Sequence, residues 1–169
     1  IEKARALFAA FAGRGYHALL IPRKLGGKGF DHLSAGIVYE TLGYELPGSL
    51  HGPLTTSHCA DMIMSGAQND LHERCLRTLA RGRTPAAFCL TEEAAGSDIT
   101  AIRTQARKQG GSYIITGSKS IVINHAIART LIVFTTTPPA GGRASLNAFA
   151  VDAGLSGISL GEPYDTPGF

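Results

Sequence analysis

Residues 88–98 read Phe-Cys-Leu-Thr-Glu-Glu-Ala-Ala-Gly-Ser-Asp, and this stretch predicts a short buried strand that runs into a loop of small residues. The apolar part ends at Leu90, and residues 94–97 have almost no side-chain bulk. Because small side chains leave the backbone accessible, main-chain N–H groups of such a loop can approach a bound group closely. Taken alone, the pattern fits a plain strand-to-turn connection equally well.

The composition is that of a packed globular protein, with 44% hydrophobic and 17% charged residues in 169. The net charge is only +3, and basic residues are not interleaved with aromatic ones, which argues against a nucleic-acid partner. No apolar run approaches the roughly 18–20 residues that a membrane span needs. Three cysteines without a C-x-x-C pair, and six histidines without ligand spacing, argue against disulfides and a metal site. We therefore expect a reducing compartment, the cytoplasm.

The first half of the chain predicts helices. Apolar periodicity and capping residues place them at residues 1–12, 31–43, 53–65 and directly after Asn69. Asp31 and Asn69 are the predicted N-caps of the second and fourth helices. The second helix is expected to bury the stripe formed by Leu33, Ile37, Val38 and Leu42.

The second half is rich in short β segments without long helices between them. These segments are residues 85–91, 103–109, 112–117, 119–124, 130–136 and 145–152. Such an order favours strands that pair with their neighbours in sequence. The predicted fold class is therefore α+β, with a helical domain at residues 1–83 and an antiparallel, β-barrel-like domain at residues 84–169.

A second motif, GSYIITGSKSIVINHAIA, occupies residues 111–128. Taken with FCLTEEAAGSD, it resembles the middle domain of the acyl-CoA dehydrogenase family. The helical half agrees, because residues 17–45 and 65–82 resemble the segments that precede this loop in the family. The resemblance covers nearly the whole chain, and the family's C-terminal helical domain has no counterpart in it.

The resemblance implies an FAD-dependent flavoprotein that acts on acyl thioesters. Leu90 and Thr91 then hydrogen-bond the pyrimidine edge of the flavin, and Gly96 and Ser97 lie by the pyrophosphate and the pantetheine arm. The cofactor-binding residues implied in this way are Phe88, Leu90, Thr91, Gly96, Ser97, Ile121, Val122 and Ile123. The substrate-binding residues implied are Ser97, Leu50, Pro53 and Ser57.

The chain also departs from the family pattern beside the flavin ring. Where the family has Trp, Ile and Thr, this sequence has Ile121, Val122 and Ile123, so the hydroxyl that reaches flavin N5 is replaced by a methyl group. Glu93 stands where the family usually has proline, which should loosen the loop.

The family's catalytic base is a glutamate of the C-terminal helical domain, expected beyond Phe169, so no catalytic residue is assigned in this chain. Glu92 and Lys119 are expected to be structural, Lys119 as a solvated residue at a strand edge.

Three functions stay open at this point. The first is dehydrogenation of an acyl-CoA or acyl-carrier-protein thioester to the 2,3-enoyl thioester, in a homo-oligomer that passes electrons to an acceptor such as an electron-transfer flavoprotein. The second is a flavin oxidase or monooxygenase of the same superfamily, which the loss of the hydroxyl at Ile123 could suit. The third is a non-catalytic homologue that binds a thioester or a partner subunit.

Overall fold

In the computed structural model, which describes residues 1–66, 69–137 and 145–165, the α-helices precede the strands. The helices are α1 (Glu2–Arg14), α2 (His32–Glu45), α3 (His51–Ser65) and α4 (Asp70–Ala80). The strands are β1 (Ala86–Cys89), β2 (Gln105–Gln109), β3 (Ser112–Thr116), β4 (Thr130–Thr137) and β5 (Ser145–Asp152).

Two helices begin at the capping residues that the sequence predicts. The Asp31 carboxylate accepts a hydrogen bond from the Ser34 N–H at 2.7 Å. The Asn69 side-chain oxygen accepts from the N–H groups of Leu71 and His72, at 3.0 and 3.1 Å. Each cap satisfies backbone donors that the first helical turn cannot pair internally, and both predictions are confirmed.

Helix α2 turns only part of the predicted stripe inward, since Val38 and Leu42 are partly buried. Leu33 and Ile37 are 77% and 57% exposed, whereas Ala35 is buried. The inward face of α2 instead carries Ala35 and Tyr39, and the Tyr39 hydroxyl donates to the Tyr16 carbonyl at 2.8 Å. The prediction was wrong for Leu33 and Ile37, because the small Ala35 and the hydrogen-bonded Tyr39 take the inward positions.

Strand β4 is the centre of the sheet. It pairs antiparallel with β5 from Thr130↔Asp152 to Thr137↔Ser145. Its other edge pairs parallel with β1 and, at one position, with β2, which forms an antiparallel hairpin with β3. The α+β class is confirmed, but the sheet is mixed rather than purely antiparallel, and the described strands do not close into a barrel.

The mixed topology follows from the loop after β1. Residues 90–104 lead the chain away from the β1 edge, so β2 does not pair with its predecessor. The parallel partner of β1 is β4, with Ala86 opposite Thr130. The sheet therefore brings together segments that are far apart in sequence.

One apolar core serves both halves of the chain. Its buried members come from the helical part, from the sheet and from the connection between β1 and β2. They are Ala18, Ile21, Leu25, Cys59, Ala60, Ile63, Leu76, Leu79, Ala86, Ala95, Ile102, Ile132 and Phe134. Helix α4 ends before the predicted division at residues 83 and 84, and β1 begins after it. The division into two domains stays a prediction, because a shared core neither requires nor forbids it.

Candidate functional site

The loop that follows β1 is a tight turn with an open tip. The Glu92 N–H donates to the Ala95 carbonyl at 2.9 Å, and the Ala95 N–H donates back to the Glu92 carbonyl at 3.1 Å. A Cβ atom on Gly96 would meet nothing within 4 Å, and Ser97 is exposed. The loop therefore leaves room for a bound group beside its backbone.

The Glu92 side chain lies at the base of this loop and is almost fully enclosed, with 9% of its surface exposed. Its carboxylate accepts from the N–H groups of Arg103 and Thr104 at 2.7 and 3.0 Å. The Thr104 hydroxyl at 2.6 Å and the Lys119 ammonium at 2.7 Å complete the set. Desolvation raises the pKa of this carboxyl, but the hydrogen bonds from Lys119, Thr104 and Arg103 outweigh it and lower the pKa to about 2.

Lys119 joins the two sequence motifs. Besides Glu92, its ammonium donates to the Leu90 carbonyl at 3.0 Å, and its side chain is 9% exposed. The next residue, Ser120, donates its N–H to the Thr91 carbonyl at 2.9 Å. The structural role predicted for Lys119 agrees with these contacts, but its predicted position at a solvated strand edge was wrong.

The segment after Lys119 is not the strand predicted at residues 119–124. Ile121 and Asn124 have φ angles of 53° and 69°, which are incompatible with an extended strand. Ile121 is 70% exposed and Ile123 40% exposed, so two apolar side chains point away from the core next to the loop. Val122 lies between them and packs against a small cluster that contains Cys89 and Leu131.

Asn124 ties this segment to the helices. Its side-chain amide donates to the Gly52 carbonyl in α3 at 3.1 Å and to the Ala86 carbonyl in β1 at 2.9 Å. Asparagine tolerates the left-handed conformation better than most residues, which suits it to this position. This role of Asn124 was not predicted from the sequence, although the Ile-Asn pair inside the second motif was the available signal.

Thr91 has polar groups that the loop itself leaves unpaired. Its carbonyl accepts from Ser120, but its N–H and hydroxyl form no hydrogen bond with any residue in the described parts of the chain. Thr91 is partly buried, and Ser120, whose N–H binds the Thr91 carbonyl, directly precedes the exposed Ile121. Free donors next to an apolar wall fit the polar edge and the ring face of a flavin.

Phe88, the predicted cofactor residue within β1, packs against the core. Phe88 packs against Phe134 with ring centroids 4.9 Å apart and is only partly exposed. A direct cofactor contact by Phe88 therefore stays a prediction, and its observed contact is with the sheet.

The three substrate-binding residues predicted in the helical part lie inside the protein. Pro53 and Ser57 are among the fully buried side chains of α3, and Leu50 is 9% exposed. Their burial argues against direct contact with a substrate in this conformation. Ser97, by contrast, is accessible at the loop.

A groove of about 610 Å³ lies on the sheet side of the second motif. Residues 117–122 form one wall and residues 157–162 the other. His125 connects the walls, since its ring nitrogens lie 3.1 Å from the Val122 carbonyl and 3.2 Å from the Gly161 carbonyl.

The cysteines do not have the low pKa of reactive thiols. All three cysteines are free, and burial raises the pKa of Cys59 to about 12 and of Cys89 to about 11. Cys89 therefore behaves as the small buried apolar residue that the sequence predicts. Residues 1–66, 69–137 and 145–165 contain no group of three or more potential metal ligands. No helix in those ranges has the length and apolarity to cross a membrane.

Comparison with known proteins identifies two adjacent domains of one family. Residues 2–83 match the N-terminal domain of acyl-CoA dehydrogenases, and residues 87–169 match the middle domain. A cyclohex-1-ene-1-carbonyl-CoA dehydrogenase of Geobacter metallireducens is 33% identical over 161 residues, which cover 95% of this chain and 42% of the relative.

Solved structures agree in fold. The crystal structure of an FAD-dependent dehydrogenase superimposes with a TM-score of 0.87 at 35% identity, covering 95% of this chain and 45% of that one. The prolyl acyl carrier protein oxidase AnaB superimposes with a TM-score of 0.83 at 30% identity, over 92% and 42%. The chain spans less than half the length of these proteins. Since the two domain matches together cover almost all of it, the chain belongs to the acyl-CoA dehydrogenase family.

Proposed function

We propose that the protein carrying this chain dehydrogenates an acyl thioester, an acyl-CoA or acyl-carrier-protein substrate, to the 2,3-enoyl thioester with FAD as cofactor. The observation that carries the proposal is Thr91, whose N–H and hydroxyl are unpaired in the described parts of the chain and whose carbonyl is bonded to Ser120, directly before the exposed Ile121. FAD, when bound, supplies the acceptor for the hydride that leaves the β-carbon of the thioester.

The residues of this chain bind and orient the cofactor in this proposal. Leu90 and Thr91 contact the pyrimidine edge of the flavin, where donors stabilise the negative charge of the reduced ring. Ile121 and Ile123 would form the apolar wall beside the ring and exclude water from it, and Val122, packed against Cys89 and Leu131, would hold that wall in place. Gly96 and Ser97 leave space for the pyrophosphate and for the pantetheine arm of the substrate.

Glu92 is not the base that removes the α-proton. Its carboxylate already accepts four hydrogen bonds, and a pKa of about 2 makes it too weak a base. No catalytic residue is therefore assigned in this chain. By likeness to the family we also propose a homo-oligomer in the cytoplasm that passes its electrons to an acceptor such as an electron-transfer flavoprotein.

Titration of the full-length apoprotein with FAD tests the proposal. We expect the quenching of FAD fluorescence and the visible flavin spectrum to show stoichiometric binding. Thr91→Val, which keeps the shape and removes the hydroxyl, should weaken binding roughly tenfold. Thr41→Val is the matched control, because the Thr41 hydroxyl bonds only within α2, to the Ile37 carbonyl. A wild-type protein that binds no FAD contradicts the proposal and favours a non-catalytic, thioester- or partner-binding homologue.

A second candidate, a flavin oxidase or monooxygenase, is favoured by Ile123 and by the similarity to AnaB. An isoleucine cannot donate the hydrogen bond that a threonine hydroxyl makes at this position. Reaction with an acyl thioester separates the candidates. In a dehydrogenase the bound flavin loses its visible absorbance under anaerobic conditions, and the reduced flavin is reoxidised slowly in air. An oxidase instead consumes O₂ and releases hydrogen peroxide at each turnover.

A further inference from the structure

We propose that Lys119 is a positioning residue for the cofactor: together with Glu92 it holds the carbonyl side of residues 90–92 and so directs the donors of Thr91 toward the flavin. This inference rests on the proposed binding of FAD. The Lys119–Glu92 ion pair, expected from the sequence to be structural only, then also orients the loop that binds the cofactor.

Lys119 forms hydrogen bonds on both sides of Thr91. The Lys119 ammonium donates to the Leu90 carbonyl at 3.0 Å and to the Glu92 carboxylate at 2.7 Å. Both charged side chains are 9% exposed, so water competes little for these bonds. A single group thus holds two positions that flank Thr91.

The same segment also fixes the direction of the backbone. The Ser120 N–H donates to the Thr91 carbonyl at 2.9 Å, so the carbonyls of both Leu90 and Thr91 are held by the segment 119–120. The Leu90 carbonyl and the Thr91 N–H belong to one planar trans peptide, in which they point in opposite directions, so a bond that fixes the carbonyl also fixes the N–H. The direction of the Thr91 N–H is then set.

The loop itself is made of small residues. Residues 94–97 are Ala-Ala-Gly-Ser, of which Ala95 packs in the core and the other three are exposed, so they provide little side-chain packing. The loop is instead anchored where the Glu92 carboxylate binds Arg103, Thr104 and Lys119. Buried ion pairs contribute little net stability because desolvation offsets their attraction. The presence of a buried Lys119–Glu92 pair is therefore better explained by preorganisation of a binding loop than by a gain in stability.

The experiment measures FAD affinity of the full chain at a temperature well below each variant's unfolding midpoint. We expect Lys119→Met to raise the FAD Kd by roughly tenfold or more, the cost of losing charged hydrogen bonds. The visible absorption band of the bound flavin should also shift, because its hydrogen bonds at the pyrimidine edge change. Lys119→Arg, which can still donate to both oxygens, should recover most of the affinity.

Two further variants separate positioning from stability. In Glu92→Gln with Lys119→Met no buried charge is left alone, so stability should recover relative to Lys119→Met while the Kd stays raised. Asp152→Asn breaks the exposed Arg129–Asp152 ion pair, whose oxygens lie 2.6 and 3.0 Å from the guanidinium, and should leave the Kd unchanged within about twofold.

The outcomes distinguish this inference from the proposed function. A wild-type protein without FAD binding refutes both. A wild-type protein that binds FAD, with a Lys119→Met variant of equal Kd and identical flavin spectrum, refutes only the positioning role. Loss of thermal stability in Lys119→Met without a change in Kd would show that the pair is structural, and it refutes the positioning role as well.

Discussion

At the scale of single residues, Ile121 is the least expected feature of the chain. Its φ of 53° is unusual for a β-branched side chain, and 70% of its surface is exposed. Burial of the Ile121 side chain therefore does not offset the free-energy cost of this backbone conformation. The conformation is imposed by its neighbours, since Ser120 is bonded to Thr91 and Val122 is packed beneath the sheet. Strain of this kind commonly marks a binding site, which agrees with a wall for the flavin.

Ile121→Asn tests this interpretation. Asparagine adopts the left-handed region readily, so we expect the unliganded protein to gain about 1 kcal/mol of unfolding free energy. FAD affinity should fall, because the apolar contact with the ring is lost. Urea unfolding of the apoprotein and an FAD titration measure the two effects.

Ile114→Asn is the control for that substitution. Ile114 is 52% exposed in β3, where the backbone is regular, so the same change should lower stability through lost β propensity. Equal effects at both positions would contradict the strain argument.

At the scale of elements, the segment 117–124 is held in place by close approach and not by strand pairing. Gly117 has a φ of 156°, and a Cβ atom there would lie 2.4 Å from the Thr104 hydroxyl and 2.7 Å from its Cα. Thr104 in turn donates twice to Glu92. Because Gly117 of the second motif has no side chain, Thr104 can lie close to it and form the hydrogen bonds to Glu92 that anchor the loop of the first motif.

Gly117→Ala should therefore destabilise the protein by roughly 1–3 kcal/mol, the cost of overpacking a tight site. Because the displaced residue donates to Glu92, FAD affinity should fall as well. Gly96→Ala is the matched control, since a Cβ there meets nothing within 4 Å. We expect it to leave stability within about 0.5 kcal/mol of wild type in denaturant unfolding. A Gly117→Ala variant as stable as Gly96→Ala would contradict the close approach.

At the scale of the molecule, the helices and the sheet depend on one another. The main core contains Leu79 of α4 together with Ile132 and Phe134 of β4. The Asn124 amide adds a polar link between α3 and β1. Damage to a helix should accordingly reach the proposed flavin site in the β part.

The same leucine-to-alanine substitution can be compared at Leu79, which is 1% exposed, and at Leu33, which is 77% exposed. We expect Leu79→Ala to cost roughly 2–5 kcal/mol by opening a cavity, and Leu33→Ala to change stability by less than about 0.5 kcal/mol. Circular dichroism in the far ultraviolet and FAD release should report the same midpoint for Leu79→Ala. An earlier loss of helix with FAD still bound would show that the two parts unfold independently.

The sequence by itself determined the features whose physical cause lies within a few residues. The caps at Asp31 and Asn69, the glycine-linked hairpin of β2 and β3, and the small-residue loop after β1 are all local, and the two motifs were enough to indicate the family. The pairing of β1 with β4, the burial of Lys119 and the face that α2 turns inward were decided by the tertiary structure. These depend on which distant segments share a core, and the free energy of that packing outweighs local preference.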